Sequence, residues 1–262
     1  MKAVRADYPE HWPHANVYTL ADLHIGDPHS IPEEVLRRVR EAEADPYGLV
    51  LLNGDLMNTA IRTGVSDVYG ELLSPMQQMQ ELVDLLRPIK DKIIGVTTGN
   101  HENRIYKNDG VDTTRLVCRE LGIEDRYAPE GILIFLRFGR QNPHGRHMDK
   151  NPHQWYTIYA CHGSGGGRKE GAKAIRLADM AAICDADAYV HSHTHLPMVM
   201  KQSFYRTNPT SCRVTLVPKL FVNTGAALDY GGYGQAQEYK PSSIATPVIH
   251  LDARNKRMSA TL

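Results

Sequence analysis

The chain has 262 residues, 42% of them hydrophobic, and its 30 Lys and Arg balance its 30 Asp and Glu. That length carries a sizeable core, and the zero formal net charge argues against a protein that grips nucleic acid by bulk electrostatics. No run of about 18 apolar residues occurs, so no membrane span is expected. The opening MKAVRADYPEHWPH lacks the apolar core of a signal peptide. Cys118, Cys161, Cys184 and Cys212 form no C-x-x-C pair, and three of them lie in apolar stretches. They read as reduced thiols in a cytoplasmic protein, not as a disulfide frame or a structural zinc module.

Short apolar runs recur along the chain, each followed by polar residues. Asn16–Leu20 leads into Asp22, and Leu49–Leu52 into Asn53, Gly54 and Asp55. Lys92–Thr97 leads into Gly99, Asn100 and His101, Trp155–Ala160 into His162, and Ala188–Val190 into His193 and His195. Leu220–Val222 leads into Asn223 and Thr224. Runs of this length and composition read as buried strands.

Helical patterns separate several of them. Ser30-Ile-Pro-Glu33 reads as a capping box opening a helix to about Ala44. Ser74-Pro75 opens a second helix that Arg87-Pro88 stops. Asp112 caps a third, ending at Leu121-Gly122, and a fourth spans roughly Glu170 to Ile183. The alternation predicts an α/β fold with much parallel pairing. Met198–Tyr205, Arg213–Val217, Leu220–Val222 and Pro247–Asp252 read as strands without intervening helices, which predicts an antiparallel or mixed portion and two packed sheets. Gly139–Gln154 and Asp229–Ser243 read as long loops. Neither reads as a linker, so one domain over 1–262 is expected.

Five strand ends thus deliver metal-ligand residue types, where sites of open α/β sheets form. Asp22-x-His24 and His193-x-His195 place two ligands two apart, on one side of an extended backbone. The Asp55 carboxylate can bridge two cations, and Asn100 offers a neutral carbonyl oxygen. Nitrogen and oxygen donors without thiolate suit manganese, iron, zinc or cobalt, and two such ions would attract a phosphate.

The ordered set D-x-H, G-D, G-N-H-E, H-G and G-H-x-H resembles the calcineurin-like metallophosphoesterases, in the manner of small bacterial or phage-type members. It stands here as Asp22-Leu-His24, Gly54-Asp55, Gly99-Asn-His-Glu102, His162-Gly163 and Ser192-His-Thr-His195. The resemblance implies two mixed β-sheets packed face to face and flanked by helices, a four-layer sandwich. It implies two divalent ions, manganese first: Asp22, His24, Asp55 and His195 on one; Asp55, Asn100, His162 and His193 on the other. His101 is then the catalytic residue, contacting a phosphoryl oxygen or protonating the leaving group, and the reaction is in-line attack by metal-bound hydroxide on a phosphate ester.

Four residues depart from the pattern, and three of them, Asn58, Thr59 and Thr98, bear on substrate. Ser192 replaces the usual Gly of G-H-x-H. Asn58 and Thr59 stand where protein phosphatases of this superfamily carry the Asp that orients the catalytic His and a phosphate-binding Arg. Thr98 replaces another Arg. Protein phosphatase activity is therefore disfavoured, and Asn58 leaves the support of His101 to be found. Arg104, Lys107, Arg115 and Arg119, then Arg168, Lys169, Lys173 and Arg176, and Arg137, Arg140, Arg146 and Lys150 read by default as solvated faces. If they share one rim they suit DNA or RNA, so the reading leans to phosphodiesters. A small-molecule phosphomonoesterase and a non-catalytic binding scaffold of the same fold are the alternatives. His191 and Glu102 read as packing partners, and adjacent Cys161 and His162 point to opposite faces, which rejects a Cys–His nucleophile. No G-x-S-x-G is present for a serine hydrolase.

Overall fold

The computed structural model describes residues 1–64, 67–139, 154–165 and 167–262. Among these residues eleven strands form two mixed sheets. In the five-stranded sheet, β2 (His14–Leu20), β3 (Gly48–Asn53) and β4 (Ile93–Thr97) run parallel, with β10 (Val248–Asp252) antiparallel to β2 and β11 (Met258–Thr261) at the edge. The six-stranded sheet has the order β1 (Lys2–Tyr8), β5 (Ile132–Phe138), β6 (Gln154–Ala160), β7 (Ala188–His191), β9 (Arg213–Asn223) and β8 (Met198–Asn208). Within it β6, β7 and β9 are parallel.

Every residue of β3 and β4 is buried, as strands covered on both faces must be. Val17, Leu49, Leu51, Ile132, Ile134, Ile158, Val190 and Val222 fill the space between the sheets. On the outer face of the five-stranded sheet lie α1 (Pro32–Ala44), α2 (Pro75–Leu86) and α4 (Thr113–Leu121), packed through Val39, Leu82, Leu86 and Val117. On the other side α5 (Glu170–Asp179) covers Tyr159, Tyr189 and Phe221 through Leu177. The layers are helix, sheet, sheet, helix, as expected.

Several boundaries differ from the sequence reading. Ser30 forms no capping box: the N-cap of α1 is Ile31, with no side-chain cap, and the Ser30 hydroxyl donates to the Leu23 carbonyl. Ser74 does form one with Gln77. Arg213–Val217 and Leu220–Val222 are one strand that continues through Pro218. A short helix, α6 (Gly232–Ala236), interrupts the loop expected over Asp229–Ser243. Of the other expected loop, residues 140–153 lie outside the described residues. Three strands, β1, β5 and β11, and the helix α3 (Asn100–Asp109) were not foreseen.

Candidate metal centre

The parallel strands β2, β3 and β4 of one sheet and β6, β7 and β9 of the other end on the same rim, and the predicted ligands follow those ends. Asp22 and His24 follow β2, Asp55 follows β3, and Asn100 and His101 open α3 after β4. His162 follows β6, and His193 and His195 follow β7. The structure brings all eight together. Asp22, His24 and His195 offer ligand atoms within 4.8 Å of one another, as do His24, Asp55 and His101, and Asp55, His162 and His193. His162 Nε2 lies 3.1 Å from Asp55 Oδ2 and 3.2 Å from Asn100 Oδ1.

The local backbone is not the extended one that the D-x-H and H-x-H spacing suggested. Asp22, His24, Asp55, His193 and His195 have φ of +51°, +48°, +50°, +66° and +53°. Alternate left-handed residues, not a strand pleat, turn these side chains toward one point. Gly54 precedes Asp55 with φ +79°, and a Cβ there would lie 2.5 Å from the Gly99 amide nitrogen. At Gly99 a Cβ would overlap the Asp55 carboxylate. The two glycines let the β3 and β4 exits meet around Asp55.

Glu102 holds this junction. Its carboxylate accepts from the amides of Asp55 (3.1 Å), Leu56 (2.6 Å), Met57 (2.9 Å) and Gly99 (3.0 Å). Burial, and after it the neighbouring Asp55 charge, pushes the Glu102 carboxyl up to about 7.

Two ring nitrogens turned away from the centre have a carbonyl to bind. His162 Nδ1 lies 2.8 Å from the Asn53 carbonyl and His101 Nδ1 3.0 Å from the Asn58 carbonyl. A carbonyl only accepts, so both Nδ1 atoms carry hydrogen and both Nε2 atoms face inward. The orienting role expected of residue 58 is thus carried by its backbone. The Asn58 side chain instead donates to Asp27 (3.0 Å) and Glu71.

Asp22 and Asp55 are 0% and 1% exposed. Burial would raise both carboxyls. The imidazoles facing them, His195 for Asp22 and His162 for Asp55, outweigh it and hold them below the ordinary carboxylate range. Burial works against His162 also, but Asp55 lifts it to about 10. Burial holds His24 well below its ordinary value and takes His193 down to about 4. The last two are therefore neutral at pH 7, the form that binds a metal. His193 Nδ1 is buried without a hydrogen-bond partner among the described residues, whereas buried polar atoms are nearly always paired. These donors, tautomers and this orphan nitrogen fit a divalent cation centre.

Sequence reasoning missed the supports. The Thr224 hydroxyl, after β9, donates to Asp22 Oδ2 at 3.0 Å. Asn53 donates to Ser192 Oγ at 2.6 Å and to the Cys161 carbonyl at 2.9 Å, tying the two sheets. His191, read from the sequence as a packing partner, is buried with Nδ1 2.9 Å from Asn223 Oδ1. Their signal was present: Asn53, Asn223 and Thr224 are the polar residues that close buried strands.

Among the described residues the basic groups do not share one rim: Arg137 lies near the end of β5, which is antiparallel to β6, and so away from the centre. Arg115 pairs with Glu124 and Arg137 with Asp7, and Arg140, Arg146 and Lys150 lie outside the described residues. Nearer the centre, Arg104 in α3 acts electrostatically on His101. Lys173 donates to the Thr194 carbonyl, between His193 and His195, at 2.8 Å. Arg168 lies 5.6 Å from the Tyr239 ring centroid.

The sequence model of the calcineurin-like phosphoesterases matches residues 23–197. The chain belongs to that family. No curated protein sequence matches it. Among solved structures it is similar to a metallophosphoesterase from Sphaerobacter thermophilus, with 13% identity over 94% of this chain and 87% of that one and a TM-score of 0.41. It is also similar to Vps29 of Entamoeba histolytica complexed with Zn²⁺, with 14% identity over 94% and 97% of the two chains and a TM-score of 0.41. A third is an uncharacterized protein of Streptococcus pneumoniae TIGR4 titled a predicted phosphoesterase, with 14% identity over 91% and 84% and a TM-score of 0.37.

Proposed function

We propose that the chain is a dinuclear metal-dependent phosphoesterase whose one domain spans 1–262. Asp22, His24, Asp55 and His195 hold one divalent ion; Asp55, Asn100, His162 and His193 hold the other. The observation that carries this is the overlap of the donor groups. Asp55 belongs to the group with His162 and His193 and to the group with His24, and His24 belongs to that of Asp22 and His195. Two adjacent centres sharing one carboxylate account for that chain of groups. Nitrogen and oxygen donors put manganese first, with iron, zinc or cobalt as alternatives.

Bound ions would supply Lewis acidity and a nucleophile at neutral pH. The protein supplies position and protons. Asn100 is exposed, so its side of the centre is open to a phosphate ester. His101, fixed through Nδ1, keeps Nε2 free to carry a proton toward the leaving oxygen. Lys173, beside the His193–His195 turn, and Arg168, near Tyr239, favour an anionic substrate that extends past the reacting phosphate. They support a phosphodiester, DNA or RNA included, over a small monoester. Four free cysteines support a cytoplasmic location.

The test is hydrolysis of bis(p-nitrophenyl) phosphate and of p-nitrophenyl phosphate with Mn²⁺ or EDTA, for wild type and His101→Ala. Manganese-dependent cleavage is expected, faster on the diester, with a loss on the order of 10²–10⁴-fold in His101→Ala. A faster monoester would select a phosphomonoesterase. No cleavage of either with metal bound would point to a narrow natural substrate or to the binding scaffold.

A further inference from the structure

Outside the metal centre, a feature that the described residues leave largely uncovered is the outer part of the β8–β9 ribbon. Its two eleven-residue strands pair without a register shift, from Met198↔Asn223 to Asn208↔Arg213. Residues 201–216 are all exposed. β9 runs parallel to β7, so the ribbon projects from the rim opposite the metal centre.

One face of the ribbon is the outward continuation of the core. Directly paired residues share a face, and every second pair returns to it. At the base that face carries Val199↔Val222 and Lys201↔Leu220, and Val222 and Leu220 are buried between the sheets. Further out it carries Ser203↔Pro218, Tyr205↔Leu216 and Thr207↔Val214. There Tyr205, Leu216 and Val214 are 78%, 56% and 63% exposed. β8 is also the edge strand of its sheet. A lone two-stranded ribbon is marginal in water, and exposed edges are usually blunted by charge, proline or a bulge. From Gln202 to Asn208, β8 has no proline and no bulge. Its one charge there, Arg206, is held by Asp185 at 2.7 Å.

We propose that this ribbon is a dimerisation arm, with β8 pairing antiparallel to β8 of a second copy of this chain about a two-fold axis at Tyr205. The sequence of β8 is self-complementary in that register. Tyr205 meets Tyr205, Phe204 meets Arg206, Ser203 meets Thr207, and Gln202 meets Asn208. These are an aromatic pair at the axis and, twice each, a cation–aromatic, a hydroxyl and an amide pair. No like charges face each other. Tyr205, Val214 and Leu216 of both copies form one apolar strip, and the six-stranded sheet continues through the axis into its mate. A two-fold contact needs one surface that fits itself, and this edge does. Both metal centres stay open on the far rims.

Sedimentation equilibrium of the full chain at tens of micromolar is expected to give twice the chain mass. Tyr205→Asp sets two carboxylates opposite each other at the axis. It should weaken association on the order of a hundredfold while leaving the far-ultraviolet circular dichroism and any phosphoesterase activity unchanged. In a Cys212→Ser background, Tyr205→Cys should cross-link to a dimer with a short bismaleimide. A wild-type chain that stays monomeric over that range overturns the proposal. So does a dimer that survives Tyr205→Asp with no cross-link through position 205.

Discussion

At the scale of single residues, the centre is bought with backbone conformation. Five of the eight residues brought together there have left-handed φ between +48° and +66°, each costing on the order of 1–3 kcal/mol where the surrounding structure enforces it. Asp and His are chosen for their donors, and the strain is offset by hydrogen bonds around them. Asp22 accepts from the His193 amide at 3.2 Å and from the Thr224 hydroxyl at 3.0 Å. Thr224 is fully buried, so Thr224→Val keeps its shape and removes only the donor. That variant should fold, lose about 1–2 kcal/mol in denaturant unfolding, and bind metal at the Asp22 centre roughly 10-fold more weakly. Isothermal titration with Mn²⁺ reads the second effect. An unchanged affinity would mean that Thr224 supports the fold and not the ligand.

At the scale of elements, the turn from α1 into β3 shows how a charge fixes a strand order. Asp45 accepts from Asn16 Nδ2 (2.7 Å), the Tyr18 hydroxyl (3.1 Å) and the Tyr47 amide (2.9 Å), joining that turn to β2. Burial would raise the Asp45 carboxyl, but the bonds from Asn16, Tyr47 and Tyr18 outweigh it and hold it below its ordinary value. A carboxyl lowered in the fold adds stability that is present above its unfolded value and lost as pH falls through its folded one. Asp45→Ala should therefore unfold at lower urea than wild type at pH 7, by about 1–2 kcal/mol. That gap should close as pH falls below about 4. Urea titrations at both pH values check it, and a gap independent of pH would assign Asp45 a packing role.

The same elements show what could be read from sequence. Buried strands ending in Asp22, Asp55, Asn100, His162 and His193 were legible because apolar runs with polar ends are a local signal. So were the Ser74 and Asp112 caps. Ser30 had the same local signal, yet its hydroxyl serves the Leu23 carbonyl instead, a contact set by where the β2 exit lies. β1 was missed because Arg5 and Asp7, which pair with each other, break its apolar pattern, and the further partner of Asp7, Arg137 across on β5, is brought there only by the fold. The left-handed ligands could not be foreseen, since Asp-x-His fits an extended strand as well. Which atom of residue 58 orients His101 was equally hidden, because a backbone carbonyl has no side-chain identity.

At the scale of the molecule, the candidate metal centre lies where two sheets meet. Asp22, His24, Asp55, Asn100 and His101 belong to the five-stranded sheet, and His162, His193 and His195 to the six-stranded one. Ions held between them would bind the folded chain alone and stabilise it by mass action, and Asp55 is the residue both ions would share. The most direct measurement is metal content after saturation with Mn²⁺ and desalting, for wild type and Asp55→Asn, with the thermal transition of each. The account predicts two equivalents in wild type, loss from both centres in Asp55→Asn, and a transition in wild type that falls to that of the variant when EDTA is added. Two full equivalents retained by Asp55→Asn would contradict it.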